Sequence, residues 1–311
     1  MKTFLLLLLS IVFYSCESIE KLAYNLFLEE DLLQRPKAKR CSDCHTKIYN
    51  QWKNSRHSVA WISEHFKKST ENYSKVKCLS CHAPYEIEPL EKPKLRDFHR
   101  EDGINCVSCH FKDSTNSMHG PYEVFSPPHY STKDINYTKS EICAGCHRET
   151  YKEWKSAKVK QTCQDCHMPS KKDNLIQKFP FYLFHKKKDV HNHEILALLT
   201  PKDALNIKLL SVDEDEIKLM IENTKIPHNL PTADQGKPKF YIKTEFFLNK
   251  KKVDEDLQMI THKQGLKYKK PKELSFFTTE KFNLVKITIS RKLSWSNKKE
   301  TIKTINLKIE K

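Results

Sequence analysis

The chain has 311 residues, which suits one large domain or two of ordinary size. Only 38% of the residues are hydrophobic and 30% are charged, which excludes a conventional apolar core throughout the chain unless it gains apolar mass from something that it binds. The formal net charge is +16, but the lysines are spread along the chain, so we expect no nucleic-acid partner.

The N-terminus predicts an export signal over residues 1–15. Lys2 supplies a positive start, and the apolar stretch from Phe4 to Tyr14 is broken only by Ser10. This stretch is shorter than the roughly 20 residues that a bilayer-spanning helix needs. The tripeptide at Ser15 to Glu17 resembles a lipoprotein cleavage site, at which Cys16 carries the lipid; an ordinary signal peptide with an incidental cysteine is the alternative.

We therefore expect an exported, periplasm-facing protein that is held at a membrane through its lipid. Residues 16–40 would be the lipid-anchored tether, because their leucines roughly follow a helical period that ends near Pro36.

Ten of the 11 cysteines lie in five Cys-x-x-Cys-His units between residues 41 and 167. The units contain the pairs Cys41 and Cys44, Cys78 and Cys81, Cys106 and Cys109, Cys143 and Cys146, and Cys163 and Cys166, followed by His45, His82, His110, His147 and His167.

This spacing predicts covalently bound haem c. Two thiols three positions apart add to the two vinyl groups of one porphyrin, and the histidine after the second thiol reaches the iron. Structural zinc does not need a histidine after every cysteine pair, and thiol redox motifs do not occur five to a chain. We expect five haems over residues 41–198, in a mostly α-helical or irregular pentahaem domain whose porphyrins form the core.

Each iron also has a sixth position, for which the chain offers ten further histidines. A second imidazole there gives a six-coordinate iron suited to electron transfer, whereas an open position would admit a substrate. His119 and His129 compete for one iron, and at least one histidine in the group of His185, His191 and His193 is expected to ligate. The predicted ligands are His57, His119, His129, His185 and His193; His65, His99 and His262 are expected to be solvated or capping residues.

Residues 199–311 contain no cysteine, and their apolar residues alternate with polar ones. The pattern is clear in residues 239–248, 284–289 and 302–307. Five to seven short strands of this kind predict a small all-β domain of the sandwich type.

The motifs in order resemble the multihaem cytochrome c superfamily, which includes hydroxylamine oxidoreductases and pentahaem nitrite reductases. The resemblance rests on residues 41–57, 103–110, 118–121, 141–147 and 162–169, and on a loop over residues 227–233 that is similar to a Gly-His-x-x-Pro-Thr-Gly loop. It implies that His228 is a haem ligand. Pro227 and Ala233 replace the loop glycines, and the lysine-ligated Cys-x-x-Cys-Lys motif of pentahaem nitrite reductases is missing.

Electron transfer through five haems is the function that these observations favour, between a quinol-linked donor and a terminal reductase or another cytochrome. The alternative is a reductase of nitrite, hydroxylamine or a sulfur oxyanion at one five-coordinate haem. We assign no catalytic residue. The β-domain would be a docking module for a partner or a structural part that supplies a ligand.

Overall fold

The computed structural model describes residues 21–126 and 128–309. These residues divide into two compact units. The first contains the chain up to Gly145 together with Thr162–Leu196, and the second contains Cys146–Gln161 together with the chain from Ala197 onward. The predicted signal peptide and Cys16 lie outside the described residues.

Short helices joined by loops build the first unit, as expected for a chain interrupted by closely spaced motifs. Residues 21–27 are also helical. The α-helices of the first unit are Ala38–Cys41, Thr46–Lys53, Glu64–Ser69, Val76–His82, Cys106–His110 and Cys163–His167. Its 3-10 helices are Glu30–Leu33, Arg100–Asp102, Ile135–Thr138, Ser140–Cys143 and Phe181–Phe184.

Two small sheets complete the first unit. Strands β1 (Phe111–Lys112), β2 (Ser117–Gly120) and β3 (Ser131–Lys133) form one of them, in which β1 and β2 are antiparallel and β2 and β3 are parallel. Strands β4 (Ser170–Asp173) and β5 (Lys188–His191) form an antiparallel pair.

The end of the predicted tether is part of the first unit. The Arg35 side chain is buried and donates hydrogen bonds to the carboxylates of Glu86 and Asp113 at 2.6 and 2.9 Å. The backbone N–H of buried Ala38 donates to Asp102 at 2.7 Å. Residues 35–38 are therefore held by side chains that lie far away in the sequence.

Polar contacts dominate the interior of the first unit. Its one apolar cluster among the described residues has only four fully buried members: Trp61, Phe66, Leu79 and Ala83. In contrast, the completely buried Arg96 donates to six neutral oxygens, which belong to Pro84, Phe98, His99, Gly103, Asn105 and Ser108. The guanidinium thus ties the segment after the second motif to the start of the third.

The second unit contains seven strands, one α-helix over Arg148–Ala157, and 3-10 helices over Lys202–Ala204 and His262–Gln264. The strands are β6 (Leu205–Val212), β7 (Glu216–Asn223), β8 (Lys239–Leu248), β9 (Lys251–Thr261), β10 (Lys272–Phe277), β11 (Leu284–Lys292) and β12 (Lys299–Lys308). They form two antiparallel sheets with the orders β10-β7-β6 and β12-β11-β8-β9.

One apolar core holds these two sheets together. Alternate residues of β7 (Ile217, Leu219, Ile221) and of β11 (Val285, Ile287, Ile289) are almost completely buried, as expected for strands with one face inward. Seventeen buried hydrophobic residues among those described form this core, whereas the apolar cluster of the first unit has four. The prediction of a β region is confirmed.

The division places residues 146–161 in the second unit, whereas the sequence assigned them to the haem domain. Within residues 21–126 and 128–309, no helix is long and apolar enough to cross a membrane.

We expect Arg96→Met to lower the free energy of unfolding by about 3 kcal/mol or more, because it leaves several buried acceptors without a donor. The measurement is guanidinium unfolding of the purified protein followed by circular dichroism. Arg40→Met is the control, since Arg40 pairs with Glu29, Asp31 and Asp43 in partly exposed salt bridges, and should cost about 1 kcal/mol or less. Equal losses in the two variants would contradict the assignment of Arg96 as a central support.

Candidate haem sites

Local helix formation positions the thiols of the motifs. The second, third and fifth motifs lie in helices that end at their histidines, Val76–His82, Cys106–His110 and Cys163–His167. Cysteines three positions apart on a helix share one face. Asn105 caps the third of the five motifs, and Thr162 with Asp165 forms a capping box at the fifth.

The first and fourth motifs have a different local structure, because their histidines immediately precede a helix. His45 is followed by Thr46–Lys53, and His147 by Arg148–Ala157. Both helices carry the same aromatic pattern, with Tyr and Trp four and seven positions after the histidine: Tyr49 and Trp52, and Tyr151 and Trp154. The ring centroids of each pair lie 5.7 and 5.5 Å apart.

This pattern is an internal repeat that the sequence interpretation missed, although the identical spacing would have revealed it. The two copies differ at the twelfth position after the histidine, where His57 corresponds to Val159. The backbone of His57 is fixed, because its carbonyl accepts a hydrogen bond from Ile104 N at 3.0 Å. A side chain at Gly103 would clash there, since its Cβ would lie 2.3 Å from the same carbonyl oxygen.

Four of the five motif histidines share one orientation. In each, Nδ1 lies 2.7 Å from a backbone carbonyl oxygen, so that Nδ1 carries the proton and Nε2 keeps its lone pair. The second-shell partners of metal-bound histidines have this geometry. The pairs are His45 with Leu175, His82 with Ala60, His110 with His119, and His167 with Leu196.

Two motif histidines face a second imidazole. The ring centroid of His45 lies 6.4 Å from that of His129, and the centroid of His110 lies 6.2 Å from that of His193. Metal–nitrogen bonds of about 2.0–2.1 Å on both sides of one iron would hold two imidazole centroids about 6 Å apart. The two pairs therefore fit bis-histidine ligation of a haem iron.

The second imidazoles are oriented in the same way as the first. Nδ1 of His129 lies 3.1 Å from the carbonyl of Tyr130, and Nδ1 of His193 lies 2.8 Å from the carbonyl of His191. Burial, together with the neighbouring histidines, lowers the pKa of His129 and of His193 to about 4. Burial also lowers the pKa of His45 and His110, so all four rings are held in the neutral form that binds iron.

Thiols of different motifs touch each other. Cys41 hydrogen-bonds Cys106, and this bond and burial hold the pKa of the Cys106 thiol well above its ordinary value. The pKa of Cys143 is raised by its hydrogen bond to Cys163, by burial and by the nearby Cys109. The first and third motifs are therefore adjacent, as are the third, fourth and fifth.

The other predicted axial ligands have other surroundings. Both ring nitrogens of His119 bind protein groups, Thr115 Oγ1 at 2.7 Å and Asp134 Oδ2 at 3.2 Å. Nε2 of His129 also has a protein neighbour, Ser126 Oγ at 3.5 Å, so the preference for His129 over His119 rests on its ring, whose centroid lies 6.4 Å from that of His45. His185 lies close enough to affect the pKa of His45, and Nδ1 of His228 lies 2.9 Å from the carbonyl of Asn229. Ligation by His57, His185 and His228 stays a prediction.

Three or more His, Cys, Asp or Glu side chains do not converge as a metal site anywhere in the described ranges. The motif cysteines and histidines form separate contacts instead, thiol with thiol and imidazole with imidazole.

Comparison with known proteins agrees with this geometry. Residues 40–111, which include the first three motifs, match the family described as cytochrome c554 and c-prime. The fold resembles the crystal structure of a penta-heme cytochrome c552 from Thermochromatium tepidum, with a TM-score of 0.57 and 14% sequence identity over 89% of this chain and 100% of that one. No curated protein matches the chain. The comparisons thus show a segment that is similar to a cytochrome c family and a fold that is shared with a penta-heme cytochrome.

Replacing His129 or His193 by alanine should open the sixth position of one iron in each variant. About one fifth of the haem should then change from low to high spin in the ferric protein, because one of five axial pairs is broken. Electron paramagnetic resonance and the ferric absorption spectrum measure this change.

His65→Ala is the matched control, because His65 is exposed and its ring lies against Ser69. His119→Ala should also stay low-spin. A high-spin signal from His119→Ala together with an unchanged His129→Ala spectrum would reverse the assignment.

Proposed function

We propose that this protein is an exported c-type cytochrome that carries electrons through five covalently bound haems. The observation that carries the proposal is the pair of imidazole couples, His45 with His129 and His110 with His193, at the separation that one iron between them requires. Haem c bound at the motifs would supply reversible one-electron transfer.

The distribution of buried residues supports the same conclusion. The first unit has four buried hydrophobic residues in its cluster, although it contains most of the motif residues. A unit of this length with so small an apolar cluster needs another source of cohesion. Ten thioether bonds to five porphyrins would supply it.

The thiol contacts support transfer between sites. Because Cys41 lies beside Cys106, groups attached at the first and third motifs would lie close to each other. The contacts of Cys143 with Cys163 and Cys109 extend this series to the fourth and fifth motifs. Neutral imidazoles on both faces of the iron would keep the coordination unchanged on reduction, which favours rapid electron exchange.

The partners that we propose are redox proteins, namely a quinol-linked donor and a terminal reductase or another cytochrome. Export, a periplasm-facing position and a lipid on Cys16 belong to the same proposal. They rest on the apolar N-terminal stretch and on the requirement that haem be attached outside the cytoplasm.

The test begins with the mass of the mature protein from cells that attach haem to exported cytochromes. We expect the polypeptide mass plus five haems, with a further increase if Cys16 is lipidated. A colourless protein, or one that holds zinc, would overturn the proposal. The variant Cys78→Ser/Cys81→Ser should lose one haem and keep four.

Turnover separates the carrier from a reductase. The reduced protein should pass electrons to a soluble cytochrome or dye, and it should show no catalytic oxidation of a reduced dye with nitrite, hydroxylamine or a sulfur oxyanion. A steady turnover with one of these substrates, together with a high-spin ferric signal, would favour the reductase.

A further inference from the structure

The fourth motif differs from the others in what faces its histidine. At His147 the Nδ1 side of the ring faces a carboxylate: Asp234 Oδ2 lies 3.7 Å from Nδ1. The Asp234 side chain is only 14% exposed. Both residues belong to the second unit. The separation is that of an ion pair and is longer than a hydrogen bond.

Asp234 is fixed by the first turn of the helix that follows His147. Its carboxylate accepts hydrogen bonds from the backbone N–H of Glu149 and from the Thr150 hydroxyl, the latter at 3.2 Å. A carboxylate at the N-terminus of a helix is also stabilised by the helix dipole. The negative charge is therefore held beside His147 by two independent donors.

The loop that carries Asp234 is bound to the same helix through Glu153. The Glu153 carboxylate accepts from Asn229 N at 3.1 Å, from Asn229 Nδ2 at 2.7 Å and from Thr232 Oγ1 at 2.7 Å. Thr232 also lies 2.9 Å from the hydroxyl of Thr150. These hydrogen bonds hold the loop against the helix, and they therefore fix the distance between Asp234 and His147.

A carboxylate and a carbonyl act differently on a metal-bound imidazole. A carbonyl oxygen offers a dipole, as it does at the other four motif histidines, whereas a carboxylate brings a full negative charge. A carboxylate partner raises the basicity of the imidazole ligand. Ferric iron carries one more positive charge than ferrous iron, so the added basicity and charge stabilise the ferric form more.

We propose that Asp234 is a positioning residue that lowers the reduction potential of the haem at the fourth motif. This proposal rests on the proposed function. Reduction adds one electron to the ferric iron and neither makes nor breaks a bond; in the test, the electron comes from a mediator dye. The haem at the fourth motif would then hold an electron less firmly than it would without the carboxylate.

The experiment is a potentiometric titration of the haem-loaded full chain with the substitution Asp234→Asn. An asparagine removes the charge and keeps one amide oxygen, which can accept from the backbone N–H of Glu149 as Asp234 Oδ1 does. We expect about one fifth of the absorbance change to move to higher potential, with a reduction equilibrium constant about tenfold larger, which corresponds to 59 mV for a one-electron couple. The paramagnetic resonance signal of one haem should shift as well.

Asp203→Asn is the matched control, because Asp203 is exposed in the same unit and pairs with Lys225. It should leave every haem potential unchanged. If Asp234→Asn leaves all potentials unchanged, or moves all five equally, the proposal is overturned. An unsubstituted protein without five haems by mass would instead contradict the proposed function.

If Asp234→Asn does not mature with five haems, Asp234→Ser replaces it. This variant also removes the charge but keeps a small polar side chain beside the helix. An upward shift in about one fifth of the amplitude supports the proposal, and an unchanged titration contradicts it.

Discussion

A hydrogen bond from imidazole Nδ1 to a backbone carbonyl is the interaction on which the first unit depends. It sets the proton on one nitrogen and turns the other toward the position of a metal, so each motif needs a second chain segment that supplies the carbonyl. Leu175 and Ala60 supply such carbonyls to His45 and His82 from distant parts of the sequence. The loops between motifs therefore have a defined role, although they contain little regular structure.

The loops are held in place chiefly by polar groups. Arg96 is buried without a carboxylate partner and is satisfied by neutral oxygens, whereas Arg35 is buried against Glu86 and Asp113. Buried cations are costly unless their hydrogen bonds are complete. Both arginines meet this condition through segments that border the second and third motifs. The same fold without its cofactors would consist of such networks around a small apolar cluster.

The sequence predicted what depends on residues close together in the chain. The spacing of the motifs was sufficient for the chemistry, and the alternation in residues 239–248 and 284–289 was sufficient for the strands β8 and β11. Pairs of facing imidazoles could not be predicted in this way, because His45 and His129 come together only when the backbone folds. Periodicity carries no information on such contacts, which is why the sequence left His119 and His129 as competing candidates for one iron.

The role of Asp234 was not predicted from the sequence, because it too depends on a contact between residues far apart in the chain. Asp234 lies just after the loop that the sequence singled out for His228. The residues next to it in the chain do not indicate that it contacts a histidine 87 positions earlier. The repeat that the first and fourth motifs share could have been found in the sequence. It would have predicted that the helix Arg148–Ala157 is a copy of the helix Thr46–Lys53.

The comparison of these two helices bears on the role of the β-domain. The tryptophan of the first helix, Trp52, donates to Ile104 in the first unit, whereas Trp154 of the second helix donates to Gln161 within its own segment. Glu153 then binds the loop of the second unit through Asn229 and Thr232. Since this helix begins directly after His147, the loop of the β-domain fixes the segment that carries the fourth histidine. These contacts give the β-domain a structural role, because they hold the segment that carries His147.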